Sequence, residues 1–278
     1  MNDNTKIDYS VLDRPEVIMC LFHPRSEPPG STFQAAAPEN SMALPKDILI
    51  PVKDDVAIGA RFHMAEQSGA SILFFHGNGE IVADYDELGP IYNQMGANFL
   101  AVDYRGYGRS TGRPTVTAMM RDCHVIFEFV QNWLRQNNYP GPVILMGRSL
   151  GSAPVLELAA ACGDSIDGLI VESGFAFAAP LLQLLGIDPE ALGFKEEKGF
   201  RNIDKIRKFD KPTLIIHAEF DHIIPFSDGE ALYHASPSPE KALLKIPGAN
   251  HNDIFMRGLP EYLAAVKNIV ERVEKNPG

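Results

Sequence analysis

The chain is short of cysteine: Cys20, Cys123 and Cys162 are its only three, scattered, with no C-x-x-C pair. A disulfide framework is thereby excluded, and a reducing compartment fits. Long apolar runs are missing too. None approaches the roughly 20 residues that span a bilayer. The N-terminal stretch MNDNTKIDYSVLDRPEVIMCLF carries acids where a secretory signal needs bases, and its apolar run is only Val17 to Phe22. Basic charge is in deficit, with 25 Lys and Arg against 36 Asp and Glu, a net charge of -11. Such a balance repels nucleic acid and anionic lipid surfaces at long range. The expectation is a cytoplasmic protein with no nucleic-acid partner and no stable membrane anchoring. There is also no G-x-G-x-x-G after the first parallel strand, because HGNGEI lacks the third glycine, so a dinucleotide site fails at its key motif.

What is present is globular: 45% hydrophobic and 22% charged residues over 278 positions, enough for one large domain. Residues 24 to 46 are rich in Pro, Ser and Ala without an apolar period, so residues 1–46 read as an irregular segment packed on the domain. DILIPV and VAIGARFHM, joined by Lys53-Asp54-Asp55, read as a short hairpin. Then come short, nearly continuous apolar runs: SILFF, ANFLAVDY, PVILMG, GLIVES, PTLIIHAE and KALLKIPG. Runs of this kind are strands buried on both faces. Between them lie helical stretches, the clearest from Val116 to about Leu134, with a 3.6-residue apolar stripe. Alternating strands and helices predict an α/β fold, with a mostly parallel central sheet, antiparallel N-terminal strands and helices on both faces. Residues 47–278 read as one domain. Gly174 to Asp210 is far longer than a crossover needs and reads as a small helical insertion, a lid over one end of the sheet.

Ligands of open parallel sheets bind outside the carboxyl ends of the strands. At those ends stand His76-Gly77-Asn78-Gly79, then DYRGYGRSTG, then Gly147-Arg148-Ser149-Leu150-Gly151, then Glu172, Asp221 and His251. A strand that turns sharply into a helix crowds its corner, so glycine is needed two positions to either side. Gly147 and Gly151 make that room, and Ser149 at the corner projects clear of the sheet as a nucleophile. A serine hydroxyl needs a base, and His251 after the last strand is placed to be one. The imidazole needs a carboxylate in turn, for which Asp221 and Glu172 both stand at strand ends.

On these motifs, from about Asp47 to the C-terminus, the sequence resembles the α/β-hydrolase superfamily, with the chain order Ser, Asp, His. HGNGE, DYRGYGRSTG, GRSLGS, EFDHIIP and GANHND resemble its serine aminopeptidase-like branch, which includes depalmitoylating α/β-hydrolase-domain proteins of animals. FHPR, Phe22 to Arg25, is similar to an N-terminal element of that branch. The resemblance implies Asp221 as the acid and the backbone N–H groups of Asn78 and Leu150 as the oxyanion hole. It departs from the branch at Ala218, where members carry Gly after the histidine. The absence of HGGG disfavours the hormone-sensitive lipase branch.

Phe175, Phe177, Leu181 and Leu185 in the insertion either line an acyl pocket or pack the helical layer onto the sheet. His76 reads as a loop brace, and Arg105 and Arg109 as ion-pair formers that could instead touch a substrate carboxylate. His217 and His222 flank Asp221 but lack further ligands, so no metal and no organic cofactor are expected. The expected function is hydrolysis of a small-molecule ester or thioester through an acyl-enzyme. A peptidase acting on small peptides and a catalytically silent binding module are the alternatives.

Overall fold

Apolar runs become interior strands here because helices cover both faces of the sheet. The computed structural model describes residues 7–28 and 45–275; of the segment read as irregular, residues 1–6 and 29–44 lie outside them, and in the described part Ser10–Asp13 and Pro15–Leu21 are helical rather than irregular. The strands are β1 (Lys46–Pro51), β2 (Ala57–His63), β3 (Ser71–Phe75), β4 (Asn98–Val102), β5 (Val143–Arg148), β6 (Gly168–Glu172), β7 (Thr213–Ala218) and β8 (Lys241–Ile246). They form one sheet in the order β1-β2-β4-β3-β5-β6-β7-β8. β2 pairs antiparallel with both β1 and β4, and every other pairing is parallel. β2 alone therefore runs against the rest. The β1–β2 turn places Asp54 and Asp55 at φ 67° and 54°, the left-handed pair that matches the twist of a tight hairpin.

The helices are α1 (Pro15–Leu21), α2 (Leu88–Gln94), α3 (Val116–Gln136), α4 (Ser152–Cys162), α5 (Ala178–Leu184), α6 (Pro189–Leu192), α7 (Asn202–Ile206), α8 (Phe226–Ala235) and α9 (Ile254–Lys275). Side chains alternate along each central strand. Leu73, Phe75, Leu145, Leu169, Val171 and Ile215 join the core beneath α3, α4 and α8. Ile72, Phe74, Ile144, Met146, Ile170 and Ile216 join the core beneath α2 and α9. Each strand thus reads as an unbroken apolar run. The α3 stripe is buried as its period requires, and the Thr115 hydroxyl accepts from the Ala118 N–H at 3.0 Å to cap the helix. The insertion is indeed helical, built from α5, α6 and α7.

Crossovers run from β3 to β4 on one side and from β4 past β3 to β5 on the other. The loops after β3 and β5 therefore part at the point where the winding reverses, which is where open α/β sheets hold their ligands.

A buried cluster fastens the insertion to the sheet layer. Lys205 of α7 pairs with Glu157 of α4 at 2.7 Å and reaches the Tyr9 hydroxyl at 3.2 Å, while His124 of α3 lies 3.3 Å from Glu157. Burial raises the Glu157 carboxyl, and the bonds to His124 and Lys205 more than offset this, holding it down to about 2. A depressed carboxyl stabilises the fold fully above its ordinary value of 4.5, and that stabilisation is lost as pH falls through about 2. Glu157→Gln is expected to lower the melting temperature at neutral pH, with the gap to wild type closing between pH 4.5 and 2. Thermal melts across that range check it, and a gap that does not change with pH would contradict it.

Candidate active site

β5 ends at Arg148, and the chain turns through Ser149 into α4. Ser149 has φ 52°, a left-handed conformation that costs a non-glycine residue of order 1–3 kcal/mol. The turn is tight enough that a Cβ on Gly147 would run into the Gly151 carbonyl, and one on Gly151 into the Phe75 carbonyl. The corner serine is half-buried, and its side chain stands at the end of the sheet.

His251 lies in the loop between β8 and α9. Its Nε2 is 3.0 Å from Ser149 Oγ, and its Nδ1 is 2.7 Å from Asp221 Oδ2. An ionised carboxylate can only accept, so Nδ1 carries the ring proton and Nε2 of the neutral ring accepts from the serine hydroxyl. Burial raises the Asp221 pKa, but the bond and charge of His251 and the N–H groups of Ile223 and Ile224 together bring it below the ordinary carboxylate value. Asp221 Oδ1 accepts those two N–H groups at 3.0 and 2.8 Å, which fixes its rotamer.

Glu172, the rival acid, is engaged elsewhere. Its Oε1 receives Arg148 Nη1 at 2.8 Å and its Oε2 the Tyr262 hydroxyl at 2.7 Å. Arg148 also donates through Nε to Glu80 at 2.8 Å and through Nη2 to the His251 carbonyl at 3.0 Å. Glu80 Oε2 accepts the Gly77 N–H and the Tyr85 hydroxyl, both at 2.6 Å. One buried guanidinium thus joins the serine turn, the loop after β3 and the histidine loop. Burial raises the Glu80 pKa, and Arg148, Tyr85 and His76 pull it below its ordinary value.

His76 is fully buried and braces its loop, Nδ1 to the Gly77 carbonyl at 2.7 Å and Nε2 to Asp103 at 3.2 Å. His217 is buried under Phe226, 2.8 Å from the Ile224 carbonyl, and its burial lowers its pKa, so it stays neutral and holds the Asp221 loop. Arg105 pairs with Asp122 and Asp54, and Arg109 with Glu27 and Asp47. Among the described residues, no group of three or more His, Cys, Asp or Glu could hold a metal ion.

Comparison with known proteins bears on what this arrangement belongs to. Residues 66–187 match the family model described as Serine aminopeptidase, S33. The chain is 32% identical over 212 residues to human alpha/beta hydrolase domain-containing protein 17B, covering 73% of this chain and 66% of that protein. The chain belongs to the α/β-hydrolase superfamily. It is 31% identical over 227 residues to mouse alpha/beta hydrolase domain-containing protein 17C, covering 78% of this chain and 64% of that one. The match thus spans about two thirds of the length of these relatives. Among solved structures, ferulic-acid-bound Est1E from Butyrivibrio proteoclasticus shares the fold, with TM-score 0.68 at 21% identity over 81% of this chain and 98% of that one.

In this α/β-hydrolase the insertion residues separate. A cleft of about 210 Å³ beside Asp221 is lined by Phe175, Leu181, Leu184, Ile223 and Pro225 among others. Phe177 and Leu185, for which pocket lining was one of two expectations, are absent from its lining: Phe177 is 41% exposed, and Leu185 packs on the core, the other expectation. A seven-residue helix cannot turn all its apolar positions to one side. A larger groove of about 840 Å³ lies at the opposite end of the sheet, between Glu66 and Tyr139, and includes none of Ser149, Asp221 and His251. Arg148 and Glu80 carry no signal in the sequence reading, because the partners of Arg148 lie 68 and 24 residues away.

Arg148→Met leaves Glu172 buried and Glu80 half-buried without their cation, and breaking such a pair by removing one partner typically costs roughly 3–5 kcal/mol. Arg148→Lys restores the charge without the fork and is expected to recover part of it. Urea unfolding measures both, and an unchanged midpoint for Arg148→Met would contradict the assignment.

Proposed function

We propose that the protein is a serine hydrolase that cleaves carboxylic ester or thioester bonds, with Ser149 as nucleophile, His251 as base and Asp221 as the acid that orients it. The observation that carries the reading is the continuous relay from Asp221 through His251 to a serine held in a strained corner. Ser149 Oγ attacks the acyl carbon as its proton passes to His251 Nε2. The tetrahedral oxyanion is received by the backbone N–H groups of Leu150 and Asn78. Supporting Asn78 over its neighbour, the Gly77 N–H is already given to Glu80. Collapse returns the proton from Nε2 to the departing alcohol or thiol. Water, deprotonated by the same nitrogen, then attacks the acyl carbon, and collapse breaks its bond to Ser149 Oγ, returns the proton from Nε2 to that oxygen and releases the acid.

Residues 47–278 act in this reading as one hydrolase domain with 174–210 as its cap, working in the cytoplasm. Esters are preferred over amides because a small-peptide enzyme needs carboxylates to grip an amine. Glu196 accepts the N–H groups of Ala178 and Ala179, and Asp228 that of Ala176, so the acids beside the cap serve its backbone. The 210 Å³ cleft, with Phe175 and Leu181 in its wall, is the proposed acyl site.

Hydrolysis of p-nitrophenyl esters from acetyl to palmitoyl tests this. Ser149→Ala is expected to abolish turnover in folded protein, and Asp221→Asn to lower kcat by about 10³–10⁴. Turnover retained by Ser149→Ala would sink the proposal. Turnover confined to aminoacyl amides would move it to a peptidase, and failure of folded wild type to react with a fluorophosphonate would move it to a binding module.

A further inference from the structure

The loop that would carry one oxyanion donor is held on its outer side by a segment that lies far before the catalytic motifs in the chain. After α1, whose Val17 and Leu21 are buried with Phe22 in the core, residues 22–27 cross the loop that follows β3. Their path is fixed by backbone bonds: Gly108 N–H to the Arg25 carbonyl at 2.9 Å and Glu27 N–H to the Gly108 carbonyl at 3.2 Å.

Three bonds reach Asn78. Its Oδ1 accepts the His23 N–H at 2.8 Å and the Tyr107 hydroxyl at 2.7 Å. With Oδ1 so occupied, the amide nitrogen faces His23 Nδ1 at 2.7 Å, and the imidazole accepts. Beside it, Arg25 Nε donates to the Gly79 carbonyl at 2.7 Å, and the guanidinium pairs with Asp84. The two ends of the loop are fastened from within, by His76 and by the Glu80–Arg148 pair. Its middle, Asn78 and Gly79, is only half-buried. The bonds given above for Asn78 and Gly79 come from residues 23 and 25 and from Tyr107.

We propose that this N-terminal segment belongs to the active site: His23 is a positioning residue that, through the Asn78 side chain, sets the direction of the Asn78 backbone N–H toward the oxyanion. The inference rests on the hydrolase reading above. Its physical basis is that an oxyanion donor works only when preorganised. Loss of one donor lowers kcat by about 10²–10³, and a misplacement near 1 Å can lower it by a similar factor. A merely structural tie between two surface segments would add stability and leave the chemical step alone.

The experiment compares full-length wild type, His23→Ala, Asn78→Ala, the double variant and His23→Asn on p-nitrophenyl acetate, with a melting temperature for each. His23 is exposed, and His23→Ala keeps its backbone N–H, so the variant retains the fold. Each single alanine variant is expected to lower kcat about tenfold or more with KM within about twofold. The double variant is expected to fall no further than Asn78→Ala, because removing the Asn78 side chain already removes its bond to His23 Nδ1. His23→Asn, which puts an acceptor oxygen near the place of Nδ1, is expected to recover most of the rate. Wild-type kcat in folded His23→Ala, or losses that multiply in the double variant, would overturn the inference while leaving the hydrolase reading in place. Absence of Ser149-dependent turnover in wild type would overturn both.

Discussion

The Arg148 guanidinium is the constraint on which the site depends. It sits almost without solvent between Glu80 and Glu172, and each of its three nitrogens reaches a different part of the molecule. A buried ion pair is weak evidence for stability, because desolvation can consume what the attraction supplies. Its value here is geometric. The planar fork of arginine admits few arrangements, so the distance between the serine turn and the histidine loop is set by the same group that sets the loop after β3. Tyr262 of α9 extends the lock through Glu172 to the far face of the sheet.

Strain is stored where the lock is tightest. Ser149 at the end of β5 and Ser173 at the end of β6 both take left-handed conformations, φ 52° and 46°. β5 and β6 pair in parallel register, Gly147 with Val171 and Arg148 with Glu172, so the two strained residues follow neighbouring, fully buried strands. The sheet can hold them because its interior is continuous on both faces, and strain persists only where the surroundings over-determine it.

Much of this was legible in the residues. The central strands announced themselves because burial on both faces removes polar alternation, and the serine corner because Gly147 and Gly151 bracket a residue that follows an apolar run. The choice of acid was not legible from spacing alone. Glu172 ends β6 and Asp221 follows β7, which pair with one another, and only side-chain direction separates the one that meets Arg148 from the one that meets His251. The partners of Arg148 are 68 and 24 residues away, and no local period records such a pairing. For Phe177 and Leu185 the choice between pocket lining and packing was not legible for a different reason: two turns of helix sample the apolar face too sparsely to orient it. The bonds from His23 and Arg25 to the loop after β3 span more than 50 residues and rest on polar groups that pattern reading assigns to surface.

The proposed nucleophile and base are 102 residues apart, and the helix that supplies Tyr262 follows the base. A ribosome therefore finishes the serine turn, β6, the helical insertion and β7 before the imidazole exists to meet them. Until then the serine has no neighbour to take its proton, and Arg148 has no histidine-loop carbonyl to hold. Under the proposed mechanism the emerging chain is inert for most of its synthesis, and the power to attack acyl groups arrives together with the closing of the fold rather than ahead of it.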